Sequence, residues 1–378
     1  AVTLSMGQSI SGAWGHAMAQ PSYNDGRLHE RIEGYASLNQ PSVTCFMGLI
    51  LASKCGVEHP ELTAAIEKAN VYFRHHVGRG AIPYGFGPPR EYLQTNNGTS
   101  GSAAIAFAAK GDNEAAKFFS VMSAGAHTKL EVGHTGPFFN PMWTGLGANV
   151  AGPEAYSEFF KRWTWMRTLT REWNGGFVYQ PPGGGGFNYR GLSSDAAMIL
   201  HFALPRRKLL ITGRDQDRSL WLKRTDAVAA TSVWDIDYKK ATDDELLEML
   251  DHDVPMVRGF ASKELAARGE RVLDALRRRL KGSTKEKIGA CNALAEMKEQ
   301  WRSLGIKSLS LFGSVVRDDA RPGSDIDLLV EFEGPASFDG YMELKFQLEA
   351  LLGAPVDLVT VRALKPRLRE AVQREAIR

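Results

Sequence analysis

Two short stretches carry the residue types that chemistry needs. The first is Leu309-Ser310-Leu311-Phe312-Gly313-Ser314-Val315-Val316-Arg317, and the second is Ser324-Asp325-Ile326-Asp327-Leu328-Leu329-Val330. Read together they predict a strand, a Gly-Ser turn, a short helix and then a strand whose side chains alternate between faces. Asp325 and Asp327 then project together while Ile326 points into the core. Two adjacent carboxylates repel unless a cation sits between them, and hard oxygen ligands of this kind suit Mg²⁺. A Gly-Ser turn that opens onto a helix offers backbone N–H groups and a hydroxyl to a phosphate. A third acid follows in Ala354-Pro355-Val356-Asp357-Leu358-Val359-Thr360, where Asp357 is the lone charge in a predicted buried strand. A charge placed there is costly unless it is paired or metal-bound. A phosphate cradle with metal carboxylates is the minimum set for nucleotidyl transfer. Asp318 and Asp319 read instead as solvated loop carboxylates.

From about Lys298 to Arg378 the chain resembles the minimal nucleotidyltransferases of the DNA polymerase β superfamily. Within them it is most similar to the antitoxin-like proteins encoded beside HEPN-domain ribonuclease toxins. Phe312-Gly313-Ser314, the pair Asp325 and Asp327, and Asp357 in Val356-Asp357-Leu358-Val359 carry that resemblance. Pro335-Ala336-Ser337-Phe338 and Leu364-Lys365-Pro366-Arg367-Leu368 add to it. The resemblance implies a small α/β (α+β) domain with a mixed sheet. It also implies Mg²⁺ and ATP as cofactors, with an adenylyl group moved onto a hydroxyl, in some members a tyrosine of the partner toxin. On this reading Asp325, Asp327 and Asp357 bind metal and carry catalysis. Gly313, Ser314, Arg317 and Ser324 contact the nucleotide. The expected partners are a nucleoside triphosphate and a HEPN-type toxin.

The elements that must position those residues occupy less than a quarter of the chain. At about 150 residues per domain, the 378 residues predict two to three domains. A net charge of +3 implies no polyanion-binding surface, so no direct nucleic-acid binding is expected. The Lys/Arg-rich run from Arg271 to Lys287 is interleaved with Leu and Ala and reads as a solvated helix face. Cys45, Cys55 and Cys291 form no disulfide or metal pattern, and Cys45 reads as a core thiol. No apolar run approaches the ~20 residues that span a bilayer. The opening Ala1 and the absence of a signal-peptide pattern read as a fragment or processed form. The transferase part is expected in the cytoplasm.

Glycine marks the composition boundary: 27 of the 38 glycines precede Leu192. Helical spacing recurs over Ser42 to Ser53, Glu61 to His76, Gly101 to Lys110, Asn113 to Ala126, Glu154 to Arg171 and Ser193 to Ala203. Helix pairs joined by Gly-rich loops predict a closed ring. Residues Leu4 to Gly213 resemble the α/α-toroid domain of an uncharacterised bacterial family, distantly related to terpenoid cyclases and protein prenyltransferases. Ser11-Gly12-Ala13-Trp14-Gly15-His16, Gly80-Ala81-Ile82-Pro83-Tyr84-Gly85 and Gly133-His134-Thr135-Gly136-Pro137 carry this likeness. Neither the cyclase acidic motifs nor a zinc-ligand set occurs. The polar loop residues His16, Tyr23, Asn96, Asn97, His134, Asn140, Tyr189 and Asp195 are the candidates for contact with a ligand, His134 first. This part reads as derived from a protein of the exported type.

Asp243 to Leu250, Val257 to Arg268, Glu270 to Leu280 and Thr284 to Met297 then read as two HEAT-like helix pairs. The expected division is a toroid over 1–213, a connector over 214–240, HEAT-like repeats over 241–297 and a transferase over 298–378. The join to the last part has no flexible linker and reads as a fusion. Two functions compete: a Mg-dependent nucleotidyltransferase with appended scaffolding, or a binding toroid that carries the transferase as a passenger. A small-molecule acceptor is a third reading. The shortness of the transferase, which lacks a substrate domain of its own, favours a protein acceptor.

Overall fold

The computed structural model describes residues 1–16, 21–23, 26, 37–86, 89, 98–128, 139–178, 193–297, 305–317, 324–334, 337–352, 354–364, 372 and 375–376. The predicted helix over Lys298 to Leu304 lies outside them, as do Asp318, Asp319, Asn96, Asn97, His134 and Tyr189. The chain forms two compact units, Ala1–Ile236 and Asp237–Arg378. Among the described residues no helix is long and apolar enough to cross a membrane.

Unit 1 is helical: α1 (Val2–Met6), α2 (Asn39–Lys54), α3 (Pro60–Arg74), α4 (Thr99–Lys110), α5 (Asn113–Ala124), α6 (Asn140–Val150), α7 (Pro153–Arg162), α8 (Thr164–Thr170), α9 (Asp195–Ala203) and α10 (Arg224–Thr231). The periodicity located α2 to α5 and α9. The run read as one helix over Glu154 to Arg171 is broken at Trp163, whose φ of −89° and ψ of 10° separate α7 from α8.

Sequence pattern missed α6 altogether. Its residues Asn-Pro-Met-Trp-Thr-Gly-Leu-Gly-Ala-Asn-Val include two glycines, each worth about 1 kcal/mol against a helix interior. The helix forms because packing overrides propensity, since every residue except Met142 is buried. The glycines are the reason it fits. A Cβ on Gly147 would lie 2.4 Å from the Gly101 Cα of α4, and one on Gly145 would lie 2.6 Å from the His201 ring. Trp14, Phe46, Phe73, Phe107, Phe119, Phe159 and Trp163 fill the core around these helices. A buried aromatic of this kind contributes roughly 1.5–3 kcal/mol.

Unit 2 joins a helical layer to a sheet. Helix α11 (Asp243–Met249) starts on a capping box, in which Thr242 accepts from the Glu245 N–H and Glu245 reaches back. Helix α12 (Pro255–Arg268) follows, then α13 (Leu273–Arg279) and α14 (Thr284–Glu296), the last with its own Ser283–Glu286 box. Arg258 is wholly buried. Its guanidinium donates to the carbonyl oxygens of His252, at 2.8 Å, and of Asp253, so the charge is solvated by backbone dipoles. The Ser262 hydroxyl donates to the Gly289 carbonyl and ties α12 to α14.

Strands β1 (Ile306–Leu311) and β2 (Ile326–Phe332) are antiparallel, and β3 (Val356–Thr360) runs parallel to β2 in the order β1-β2-β3. This is the mixed sheet the resemblance implied. Helix α15 (Ser314–Arg317) follows β1, and α16 (Phe338–Leu352) crosses from β2 to β3. One apolar core runs from Leu246, Leu265 and Leu276 of the helical layer to Val315, Leu328, Leu344 and Val356.

Strand β3 has a free edge among the described strands, and α16 covers it. Side chains at intervals of four, Tyr341, Lys345 and Glu349, reach that edge. Tyr341 Oη donates to the Leu358 carbonyl, Lys345 Nζ to the Val356 carbonyl at 2.8 Å, and the Val356 N–H donates to Glu349 Oε1 at 3.2 Å.

Candidate active site

Local folding gathers the acids. Ile326 is the first residue of β2 and is buried, and its N–H donates to the Pro355 carbonyl at 2.8 Å. That bond locks the start of β2 to the start of β3. The register then sets Asp327 directly beside Asp357. Asp325 precedes the strand rather than belonging to it. One carboxylate oxygen from each of Asp325, Asp327 and Asp357 lies within 4.8 Å of the others. Asp357 is exposed, not buried as its apolar neighbours suggested, because Val356 and Leu358 take the core side and leave it on the opposite face.

At such separations each pair of like charges costs about 1 kcal/mol even in water. Neither Asp325 nor Asp357 has a lysine or arginine partner among the described residues. Three hard oxygen donors gathered this closely fit a divalent cation of the Mg²⁺ type, with open positions left for water and phosphate oxygens.

The Gly-Ser turn is fastened to the same place. The Phe312 N–H donates to the Asp327 carbonyl at 3.0 Å, and the Val316 N–H donates to the Gly313 carbonyl at 3.1 Å. Gly313 has φ +78°, and a Cβ there would lie 1.9 Å from Asp327 Oδ2. No side chain fits that position without displacing the carboxylate. Ser314 begins α15, which has a single turn, so its anion affinity rests on individual N–H groups more than on a macrodipole. From behind, α14 packs on both α15 and β1. Ser324 is half-buried and immediately precedes the first acid. Arg317 ends α15, and its side chain is not among those described. Pattern reading identified the acids and the turn. It missed the Pro355 carbonyl that sets their register, whose only signal was a proline at the mouth of a strand.

A separate cavity of about 760 Å³, lined by Phe332, Phe338, Tyr341 and Arg362 among others, opens beyond the C-terminal ends of β2 and β3. None of the three acids lines it.

The polar residues singled out in unit 1 fare unevenly. Asp195 begins α9 and accepts the Phe177 N–H, so it pins a turn. His16 is exposed, and Tyr23 ends a short 3₁₀ turn. Asn140 begins α6 and is fully buried. Burial pushes the Cys45 thiol up to about 11 and the Cys291 thiol up to about 12, so both stay protonated and inert.

Comparison with known proteins agrees with this geometry. Residues 290–378 match the family model described as a nucleotidyltransferase domain. The protein adenylyltransferase MntA of Thermococcus cleftensis is 42% identical over 83 residues, which is 22% of this chain and 84% of that protein. A provisionally named protein adenylyltransferase of Methanocaldococcus jannaschii is 40% identical over 73 residues, or 19% of this chain and 78% of that one. A solved chain provisionally described as a minimal nucleotidyltransferase shares 43% identity, covering 24% of this chain and 94% of its own, with a TM-score of 0.22. Residues 1–213 match a domain of unknown function, DUF6288. Through more than half of its length the chain therefore belongs to the DUF6288 family, and through its C-terminal region it is a nucleotidyltransferase, kin to the protein adenylyltransferases.

Proposed function

We propose that the chain transfers AMP from Mg-ATP to a hydroxyl of a partner protein, a tyrosine of a HEPN-type toxin being the acceptor the resemblance favours. The juxtaposition of Asp325, Asp327 and Asp357 beside the Gly313-Ser314 turn is the observation that carries this reading. Asp325 and Asp327 hold the cation, and Asp357 shares in holding it. Bound there, Mg²⁺ neutralises the charge that grows on the triphosphate as pyrophosphate leaves. Gly313 and Ser314 supply the backbone N–H groups and hydroxyl that grip the β- and γ-phosphates, with Ser324 and Arg317 as further phosphate contacts. Asp357 accepts the acceptor's proton as the new oxygen–phosphorus bond to the α-phosphate forms and the bridge to the β-phosphate breaks.

In the accompanying architecture, residues 1–213 are a toroid, 214–240 a connector, 241–297 HEAT-like repeats and 298–378 the transferase, acting in the cytoplasm.

Incubation with Mg²⁺ and α-³²P-ATP, with and without a HEPN-type toxin, tests the activity. Radiolabel on the toxin that disappears in Asp325→Asn/Asp327→Asn is expected. No label from any of the four nucleotides, from a chain whose unit 2 is folded, would refute the reading.

A further inference from the structure

Three helices of unit 1 begin in one place. The Thr99 hydroxyl at the start of α4 donates to Gln40 Oε1 at the start of α2, at 3.0 Å. Gly98, just before α4, lies so close to the start of α6 that a Cβ would sit 2.3 Å from the Phe139 carbonyl oxygen and 3.2 Å from the Asn140 nitrogen. None of the three helices has a side-chain cap, their N-cap residues being Leu38, Gly98 and Phe139.

Within the first two turns lie polar side-chain atoms that no described group satisfies. Asn140 is wholly buried, and neither its Nδ2 nor its Oδ1 has a partner. Thr144, one turn on along the same face, is wholly buried with an unpartnered hydroxyl. Ser100 Oγ and Gln40 Nε2 are unpartnered in residues 1% and 2% exposed. Asn39 supplies the contrast. It begins α2 as Asn140 begins α6, and it is equally buried. Yet its amide donates to the Pro83 and Gly85 carbonyls and accepts from Tyr72 Oη. Buried polar groups are almost always paired, and each one left without a partner costs about 1–3 kcal/mol. Such a cluster at one junction, beside a residue of the same type that is saturated, marks a place built for something else to bind.

Its chemistry follows from the donors. Two amides and two hydroxyls both give and accept hydrogen bonds, and none of the four residues is ionisable. The N–H groups of Asn39 and Gln40, which would otherwise favour an anion at the α2 terminus, already donate to the Tyr84 carbonyl. We propose that the converging first turns of α2, α4 and α6 form a binding site for a neutral, hydroxyl-rich molecule, chemically a saccharide unit, held by Gln40, Ser100, Asn140 and Thr144. This site is independent of the nucleotidyl-transfer reading.

Saturation-transfer NMR on the full chain tests it, with glucose, galactose, N-acetylglucosamine, xylose and cellobiose each offered up to 50 mM. Saturable binding of at least one sugar is expected, weakened tenfold or more by Asn140→Leu while label transfer from ATP is unchanged. Ser100→Ala serves as the second variant where Asn140→Leu does not fold. Absence of saturable binding across the panel overturns the proposal, as does binding that neither variant weakens. A melting temperature raised by Asn140→Leu with no sugar bound would show these groups to be hydrated only.

Discussion

The chain holds two polar clusters that have the same problem and different answers. In unit 2, Asp325, Asp327 and Asp357 are charged, stand at the surface end of a sheet and repel one another. In unit 1, Ser100, Asn140, Thr144 and the Gln40 Nε2 are neutral, buried, and lack partners among the described residues. A cation is what would relieve the acids, and at the surface they can wait for it in water. The amides and hydroxyls are buried, where only hydrogen bonds can compensate them. Charge at a surface signals itself in a sequence, whereas orphaned neutral groups become visible only when the chain is folded around them.

The sharpest way to break the comparison is at Gly313. Gly313→Ala puts a methyl group into the Asp327 carboxylate at a positive φ, and a loss of roughly 10²-fold or more in nucleotidyl transfer is expected from misplacing that carboxylate. Gly111→Ala is the control. It also has a positive φ, +89°, but no atom lies within 4 Å of the added Cβ, so it costs about 1–2 kcal/mol of stability and leaves turnover unchanged. Equal activity of the two variants would remove the close approach from the argument.

Acid should reach the two units differently. His201 is wholly buried, its Nε2–H donates to the Pro141 carbonyl, and desolvation holds its pKa down to about 4 from an ordinary 6.5. The unfolded state therefore takes up the proton first. The contribution is fully present above pH 6.5 and is lost as pH falls from there toward 4. The loss amounts to roughly 3 kcal/mol of unit 1 stability. Chemical denaturation at pH 7 and pH 4.5 checks this, and His201→Phe should flatten the dependence.

Smaller effects separate the two asparagines. Asn39→Leu strands two carbonyls and a phenol and should cost about 2–4 kcal/mol, while Asn140→Leu, with no partner to lose, should cost less than about 1 kcal/mol. Calorimetric melting of both variants decides it. The smallest effect concerns the acids themselves. Without divalent cations, Asp357→Asn should stabilise unit 2 by about 1 kcal/mol by relieving repulsion, and it should reduce the rise in melting temperature expected on adding Mg²⁺.

The same contrast explains what the sequence disclosed. Asp325, Asp327, Asp357 and the Gly313-Ser314 turn were legible because charge alternating with apolar residues has few other uses. Strand alternation even implied the side of the sheet, although it placed Asp357 in the interior when Val356 and Leu358 alone occupy it. Helix α6 was illegible because nothing local favours it. Its glycines serve contacts with His201 and Gly101, residues far away in sequence. Asn140 was noticed only as a polar residue in a Gly-rich stretch. Its significance lies in what it does not touch, and no periodicity reports that.

The covering of β3 by Tyr341, Lys345 and Glu349 has a consequence for solubility. A sheet of so few strands would ordinarily offer its last backbone groups to the next molecule and grow into fibres. Here a helix of the same unit occupies three groups of the β3 edge, the Val356 N–H and the Val356 and Leu358 carbonyls, so that edge is closed from within the unit. A strand from another molecule seeking to extend the sheet at β3 would first have to displace Tyr341, Lys345 and Glu349.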